Sequence, residues 1–311
     1  MESYDFIVIG GGGTGLSAGM YGARLGMKTL VLGFNHGSEL PIGGVITTTN
    51  LVENYPGFVK ISGYDLAKKL EEHARSYELV TIKNELVIDV KKDKNNFLVE
   101  TKKGKYSGKV ILFATGTKWK KLEAKGGKEF ENRGVNYCAL CDAPLYKNKT
   151  VAVVGGGDSA SKDALVLAEH AKKVFMICRG EDIHPEKITF DRIKQNKKIE
   201  IIPNVEITEV KGKDVVESIV LNKKYLGKNE LTVNGVFVAI GHIVLSDLAK
   251  KIGVKTNSHD EIIINHKTCE TNLPGVFAAG DVTDNQFKQL ITGVAEGCTA
   301  AYYAFEFFGK N

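Results

Sequence analysis

The sequence is short of the residues that build disulfide frameworks and of the runs that cross membranes. Five cysteines in 311 residues, an odd number with one close pair, exclude the stapled scaffold of a small secreted domain and suit a reducing compartment. No stretch approaches the roughly 20 consecutive apolar residues of a membrane-spanning helix. Met1-Glu2-Ser3 passes straight into Phe6-Ile7-Val8-Ile9, with no basic region, long apolar segment or small-residue cleavage site. A soluble, cytoplasmic protein is expected. The basic excess is slight, +5, and sits largely in segments such as Lys91-Lys92-Asp93-Lys94 and Lys118-Trp119-Lys120-Lys121. No aromatic-interleaved basic patch accompanies these lysines, so they read as solvated turns and helix faces and not as nucleic-acid contacts.

Glycine, by contrast, is abundant: 34 residues, gathered in turns and not in a low-complexity tract. That distribution points to backbone cradling of ligands. With 43% hydrophobic residues, the chain is long enough for two domains with developed cores. Tyr4 to Ile9 reads as a buried parallel strand and empties into Gly10-Gly11-Gly12-Gly13-Thr14-Gly15, a Gly-x-Gly-x-x-Gly turn. The first glycine allows the tight turn and the second lets backbone N–H groups approach a pyrophosphate. The third lets the helix, about Thr14 to Leu25, pack closely on the strand. A second strand is expected over Lys28 to Leu32. The acid that usually meets an adenosine ribose at its end is missing, since Gly33 follows and the next acid is Glu39.

Further on, the spacing of Leu66, Leu70, His73, Ala74 and Tyr77 predicts an amphipathic helix over residues 62–78. Short alternating runs from Leu86 to Val110 predict antiparallel hairpins. The strand Lys109 to Ala114 ends in Thr115-Gly116-Thr117, and we expect the chain to leave the first domain near residues 116–121. A second cradle then opens. Thr150 to Val154 is a strand, Gly155-Gly156-Gly157-Asp158-Ser159-Ala160 a Gly-x-Gly-x-x-Ala turn, Ser159 to His170 a helix and Lys173 to Ile177 the next strand. Beyond it, Ile199 to Val210, Glu217 to Leu221 and Gly235 to Ile240 read as strands. Gly241-His242 is a second crossover, and a helix over about Gln289 to Phe308 closes the chain. Gly10 and Gly155 thus open two similar units 145 positions apart, and two dinucleotide sites in one chain indicate an electron relay.

Between the two cradles lies Cys138-Ala139-Leu140-Cys141-Asp142. Two thiols at this spacing can close a small disulfide and reopen it on receiving two electrons. The motif alone also fits half a zinc site or two buried thiols. The zinc reading weakens because no second Cys or His pair sits at ligand spacing. Cys269 and Cys298 are single, expected buried, and carry no assigned chemistry.

Taken together, Gly10 to Gly15, Thr47-Thr48-Thr49 before Val52-Glu53-Asn54-Tyr55-Pro56-Gly57, Ala114-Thr115-Gly116, Cys138 to Asp142, Gly155 to Ala160, Ala239-Ile240-Gly241-His242 and Gly275 to Asp281 resemble the low-molecular-weight thioredoxin reductases over almost the whole chain. The resemblance implies an α/β fold of two doubly wound Rossmann-like domains. The FAD domain (1–117 and 244–311) is split by an inserted NAD(P)H domain (118–243) that carries the cysteines. It also implies a homodimer, rotation of one domain against the other, and electron flow from NADPH through FAD and Cys138–Cys141 to thioredoxin. Cys141 resembles the thiol that faces the flavin, Cys138 the interchange thiol and Asp142 the acid that manages the proton. Gly10, Gly12, Gly13, Thr14, Gly15, Gly43, Gly44, Asn54, Thr115, Gly116, Gly280, Asp281 and Gln289 fall on FAD-binding positions, with Lys288 where the family usually has Arg.

Gly155, Gly157, Asp158, Ser159, Ala160 and Arg179 fall on nucleotide-binding positions. There the family's His-Arg-Arg reads Cys178-Arg179-Gly180, and a later Arg position is His184. Two of three phosphate-binding cations are gone, Glu181 and Asp182 stand beside the one that remains, and NADH becomes possible. Val45 replaces a frequent Gln after the double glycine. The alternatives are a reductase of the same fold fed by NADH, reduced ferredoxin or a deazaflavin, and a non-catalytic, redox-sensing flavoprotein.

Overall fold

The apolar run near the N-terminus forms strand β1 (Glu2–Ile9), whose Phe6, Ile7, Val8 and Ile9 are all buried, as a strand covered on both faces requires. The computed structural model describes residues 1–34, 42–49 and 52–310. Glu39 lies outside these. From β1 the chain enters helix α1 (Gly13–Arg24) and strand β2 (Thr29–Gly33), which pairs parallel with β1, Ile9 opposite Leu32. Helix α2 (Gly63–Arg75) begins where Ser62 caps it: the Asp65 N–H donates to Ser62 Oγ at 3.0 Å. It ends before Tyr77, shorter than the apolar spacing predicts, because the Ser76 hydroxyl bonds the His73 carbonyl at 2.7 Å and closes the last turn. Strand β3 (Val80–Asn84) adds parallel to β2, and β4 (Val87–Asp93), β5 (Asn96–Thr101) and β6 (Lys105–Phe113) form the expected antiparallel run. β6 returns parallel to β1, placing Phe113 opposite Ile9, and β7 (Thr117–Trp119) follows.

The chain divides into two compact units, Met1–Lys118 with Ile243–Asn311, and Trp119–His242. In the second unit come β8 (Val135–Asn136), α3 (Ala139–Asp142), β9 (Thr150–Val154), α4 (Asp158–His170), β10 (Lys173–Ile177), α5 (Lys187–Gln195) and β11 (Ile199–Ile202). β12 (Ile207–Gly212), β13 (Val216–Tyr225), β14 (Lys228–Thr232) and β15 (Gly235–Val238) complete it. Its main sheet runs β11-β10-β9-β15-β8, all parallel, while β12, β13 and β14 form a separate antiparallel sheet. The stretch read as strand from Ile199 to Val210 is two strands. Pro203 has no N–H to give a ladder and Asn204 takes φ 58°, so the chain turns there.

Back in the first unit, β16 (His242–Val244), α6 (Asp247–Lys251), β17 (Val276–Ala278) and α7 (Leu290–Lys310) close the fold. The outer edge of β6 is shared: residues 105–108 pair with β5, and 111–113 pair with β17. The sheet order β3-β2-β1-β6 with β17 beside β6 puts the carboxyl ends of β1, β6 and β17 together, where an open α/β sheet holds its ligand. Phe6, Phe113 and Phe277 are fully buried beneath it, each contributing about 2–3 kcal/mol by area removed from water. Among the described residues, no helix is long and apolar enough to cross a membrane.

Candidate functional site

In the second unit, Cys138 and Cys141 are joined in a disulfide. Strand β8 delivers the chain to Cys138, which stands at the N-cap of α3, and the Cys141 N–H donates to Cys138 Sγ at 3.2 Å. The alternation of the segment fixes its orientation. Ala139 and Ala143 are buried against Ala160, Ala164 and Leu167 of α4, which leaves Leu140 and Leu145 turned outward, 50% and 43% exposed. Asp142 follows directly, its N–H bonded to the Cys138 carbonyl at 3.1 Å. Nearby Tyr146 is nearly buried, accepts a 2.8 Å hydrogen bond from Asn136 Nδ2 and packs edge-on against Phe237.

Burial pushes the Asp142 carboxyl up to about 6. It therefore exchanges its proton near neutral pH, which a carboxyl at the ordinary 3.8 does not do. Its acid form is lost as pH rises through about 6, so a reaction that draws a proton from Asp142 would weaken in that direction. Dithiol formation at Cys138–Cys141 should slow accordingly. In Asp142→Asn the rate should fall about 100-fold and that pH limb should flatten, as pre-steady-state rates between about pH 5 and 8 would register. A variant that kept the limb would assign the proton to another group.

The first unit forms the glycine cradle. A Cβ on Gly10, which takes φ 127°, would meet the Ala114 carbonyl oxygen at 2.1 Å, and one on Gly15 would meet the Gly10 carbonyl oxygen at 1.9 Å. Both glycines are thus demanded by the packing of α1 against β1 and β6. Gly12 is not: the nearest described atom to a Cβ there is Gly44 Cα at 3.8 Å, and no side chain caps the helix it precedes. An open glycine before an uncapped helix N-terminus fits a pyrophosphate. Gly43 lies across from Gly12, its N–H donating to the Gly11 carbonyl at 2.7 Å. Thr14 is held at the crossing of α1 and α7, where Cβ atoms on Gly280 and Gly293 would meet its Oγ1 at 2.6 and 2.5 Å. Gly13 packs under Leu290.

Several expected cofactor residues gather here. Asn54 Nδ2 donates to Gln289 Oε1 at 3.1 Å across 235 positions of sequence. Thr115 and Gly116 stand at the end of β6, the Thr115 hydroxyl bonded to the Leu245 carbonyl at 2.6 Å. Burial pushes the Asp281 carboxyl up, with Lys288 opposing the shift and Glu296 adding to it. The Lys288 amine is committed to the protein: it donates to the Asp281 and Thr283 carbonyls at 2.9 and 2.6 Å and pairs with Glu261 at 2.9 Å. Three donors have three partners, so Lys288 holds the Asp281 loop in place.

In the nucleotide-type turn of the second unit, Gly155 takes φ 140° against the Ala239 carbonyl and Ala160 is fully buried. A Cβ on Gly157 would meet no described atom within 4 Å, and the N-terminus of α4, opening at Asp158 and Ser159, again lacks a side-chain cap. These residues also fit a bound pyrophosphate. Arg179 is 83% exposed on its side chain and lies 3.7 Å from Glu206.

Two further residues escape the sequence reading, and a third departs from it. Glu296 accepts the Gly280 N–H at 2.6 Å through Oε2 and bonds Asn285 through Oε1, so it shapes the turn that carries Asp281. Its signal is an acid inside a mostly apolar helix. Asp163 on α4 is pushed up to about 7 by burial, with no motif to mark it. Cys298, expected buried, is half-buried on α7, while Cys178 and Cys269 are buried.

The sequence pattern of the pyridine nucleotide-disulphide oxidoreductases matches residues 4–297. A thioredoxin reductase of Peptoclostridium acidaminophilum is 35% identical over 99% of this chain and 98% of its own length. The crystal structure of thioredoxin reductase from Streptococcus pyogenes MGAS5005 superposes with a TM-score of 0.88 at 30% identity, covering 99% of each chain. A ferredoxin-flavin thioredoxin reductase from Clostridium acetobutylicum is 32% identical with a TM-score of 0.53, covering 100% of both chains.

Proposed function

The chain belongs to the pyridine nucleotide-disulphide oxidoreductase family, and on that premise we propose that it is a thioredoxin-disulfide reductase dependent on FAD and a reduced nicotinamide nucleotide. The observation that carries the reading is the Cys138–Cys141 disulfide with a half-buried carboxyl, pushed up to about 6, directly after it. The first unit holds FAD through Gly10 to Gly15, Gly43, Gly44, Asn54, Thr115, Gly116, Gly280, Asp281 and Gln289. The second holds the nucleotide, NADPH or NADH, at Gly155 to Ala160 and Arg179. Bound in these cradles, the two cofactors supply a pair of electrons, which is what opening one disulfide requires. The protein works as a homodimer, as the resemblance implies, and its few, mostly single cysteines suit the cytoplasm.

Reduction of the Cys138–Cys141 bond consumes two electrons and two protons and leaves two thiols. Asp142 is placed to deliver or collect one of those protons. As thiolate, Cys138 Sγ attacks one sulfur of the partner's disulfide; a mixed disulfide forms and the partner's other sulfur leaves as a thiolate that takes up a proton. The Cys141 N–H at 3.2 Å from Cys138 Sγ favours that thiolate. Cys141 Sγ then attacks Cys138 Sγ, the internal disulfide closes and the partner's remaining sulfur departs. Exposed Leu140 and Leu145 flank the pair and supply apolar surface for a protein substrate, a thioredoxin or a protein like it.

A second reading keeps the flavin and the cysteines but takes electrons from reduced ferredoxin or a deazaflavin. The lone Arg179 favours it, as does the likeness to the Clostridium acetobutylicum enzyme; the open, uncapped Gly157 turn favours a nucleotide. Under anaerobic conditions, NADH or NADPH should bleach the flavin of the purified protein and an oxidised thioredoxin should restore its colour as thiols appear on the partner. A protein that remains colourless when FAD is added would end both readings.

A further inference from the structure

We infer that the nucleotide cradle of the second unit selects a dinucleotide with a free 2′-hydroxyl on its adenosine ribose, NADH, over the 2′-phosphorylated NADPH. The inference rests on the proposed nucleotide site and reverses the preference that family resemblance alone implies. In a strand-helix-strand dinucleotide unit, the segment after the second strand meets that ribose: an acid there accepts a hydrogen bond from the 2′-hydroxyl, a cation accommodates a 2′-phosphate. Here the segment is Cys178 to Glu186, directly after β10.

This segment lies against the glycine turn. The His184 N–H donates to the Gly156 carbonyl at 2.6 Å, the Glu186 N–H reaches Asp158 Oδ1 at 3.4 Å, and a Cβ on Gly156 would stand 3.1 Å from Cys178 Cβ. Its charges therefore border the site. Arg179 is the single formal cation against Glu181, Asp182 and Glu186, a net charge of −2 with His184 neutral.

The cation itself stands beside a further acid. Arg179 Nε lies 3.7 Å from Glu206 Oε1, a fourth acid at the same edge. Cys178 offers no charge: its side chain is buried, with the thiol directed at the Gly180 and Ile202 carbonyls at 3.7 and 3.9 Å. Lysines on the neighbouring helices are paired too, Lys162 with Asp158 at 2.5 Å, Lys187 with Asp191 at 3.0 Å and Lys194 with Asp182 at 3.4 Å. A phosphate dianion brought to this edge would meet more acid than base, whereas a hydroxyl would find carboxylates to accept its proton.

Calorimetric titration of the FAD-loaded protein with NAD⁺ and NADP⁺ at about 0.1 M ionic strength reads binding without turnover. NAD⁺ should bind at least about tenfold more tightly. In Glu206→Gln, which removes one acid and releases Arg179, the ratio should move toward NADP⁺ by about three- to tenfold. NADP⁺ binding as tightly as NAD⁺, or more so, overturns the selectivity and leaves the nucleotide site standing. Failure of both nucleotides to bind at millimolar concentration overturns the nucleotide site and the selectivity with it.

Discussion

Cys138→Ser should abolish disulfide reductase turnover, by about a thousandfold or more, while the protein stays folded and keeps its flavin. A serine hydroxyl is not ionised near neutral pH and cannot form the mixed disulfide that exchange passes through. Cys141→Ser should lose turnover to the same extent, because the partner then leaves Cys138 only by reclosing its own disulfide, with no net reduction. Neither change should greatly alter thermal stability, since a loop closed across three positions constrains the unfolded chain very little. Serine at Cys178, Cys269 or Cys298 should leave turnover close to that of the parent. Steady-state reduction of an oxidised thioredoxin, with melting curves of the same samples, separates the two groups of cysteines.

The second large effect is expected at Gly15. An alanine Cβ there would stand 1.9 Å from the Gly10 carbonyl oxygen and 2.9 Å from its carbon, both backbone atoms fixed by the strand beneath α1. The helix must move off the sheet, at a cost of about 3 kcal/mol or more, and the flavin cradle moves with it. Gly15→Ala should melt well below the parent and purify without flavin. Gly12→Ala is the control: its Cβ would find the nearest described atom at 3.8 Å, so the protein should fold normally yet bind FAD poorly. Flavin content and melting temperature, measured on both variants, distinguish a glycine required by packing from one required by the ligand.

Much of this architecture is legible in the sequence because it rests on local signals. The β-branched runs over residues 150–154 and 173–177 are strands to the residue, and each glycine triplet opens a helix where the turn demands it. The cysteine pair was legible as a redox candidate and ambiguous by itself; the flanking cradles narrowed it. What stayed hidden depends on contacts between distant segments. Lys288 reads as a substitute for an arginine at the cofactor, yet its amine is consumed by two carbonyls and Glu261. Glu296 carries no motif and acquires its role only because α7, which crosses α1 at Gly293 and Gly297, brings it to the Gly280 turn. The displaced proton equilibrium of Asp142 is likewise a consequence of burial, which no spacing rule encodes.

On the proposed reading, Cys138 is the sulfur through which electrons leave for a protein disulfide. Reduced Cys141→Ser protein should be mixed with a thioredoxin that keeps only one active-site cysteine, activated as a mixed disulfide with a small aromatic thiol that departs as thiolate when the adduct forms, and the products separated without reductant. A covalent adduct of about the summed mass of the two proteins should form, joined through Cys138 and released by dithiothreitol. An adduct absent under these conditions, or joined through Cys178, Cys269 or Cys298, would contradict it.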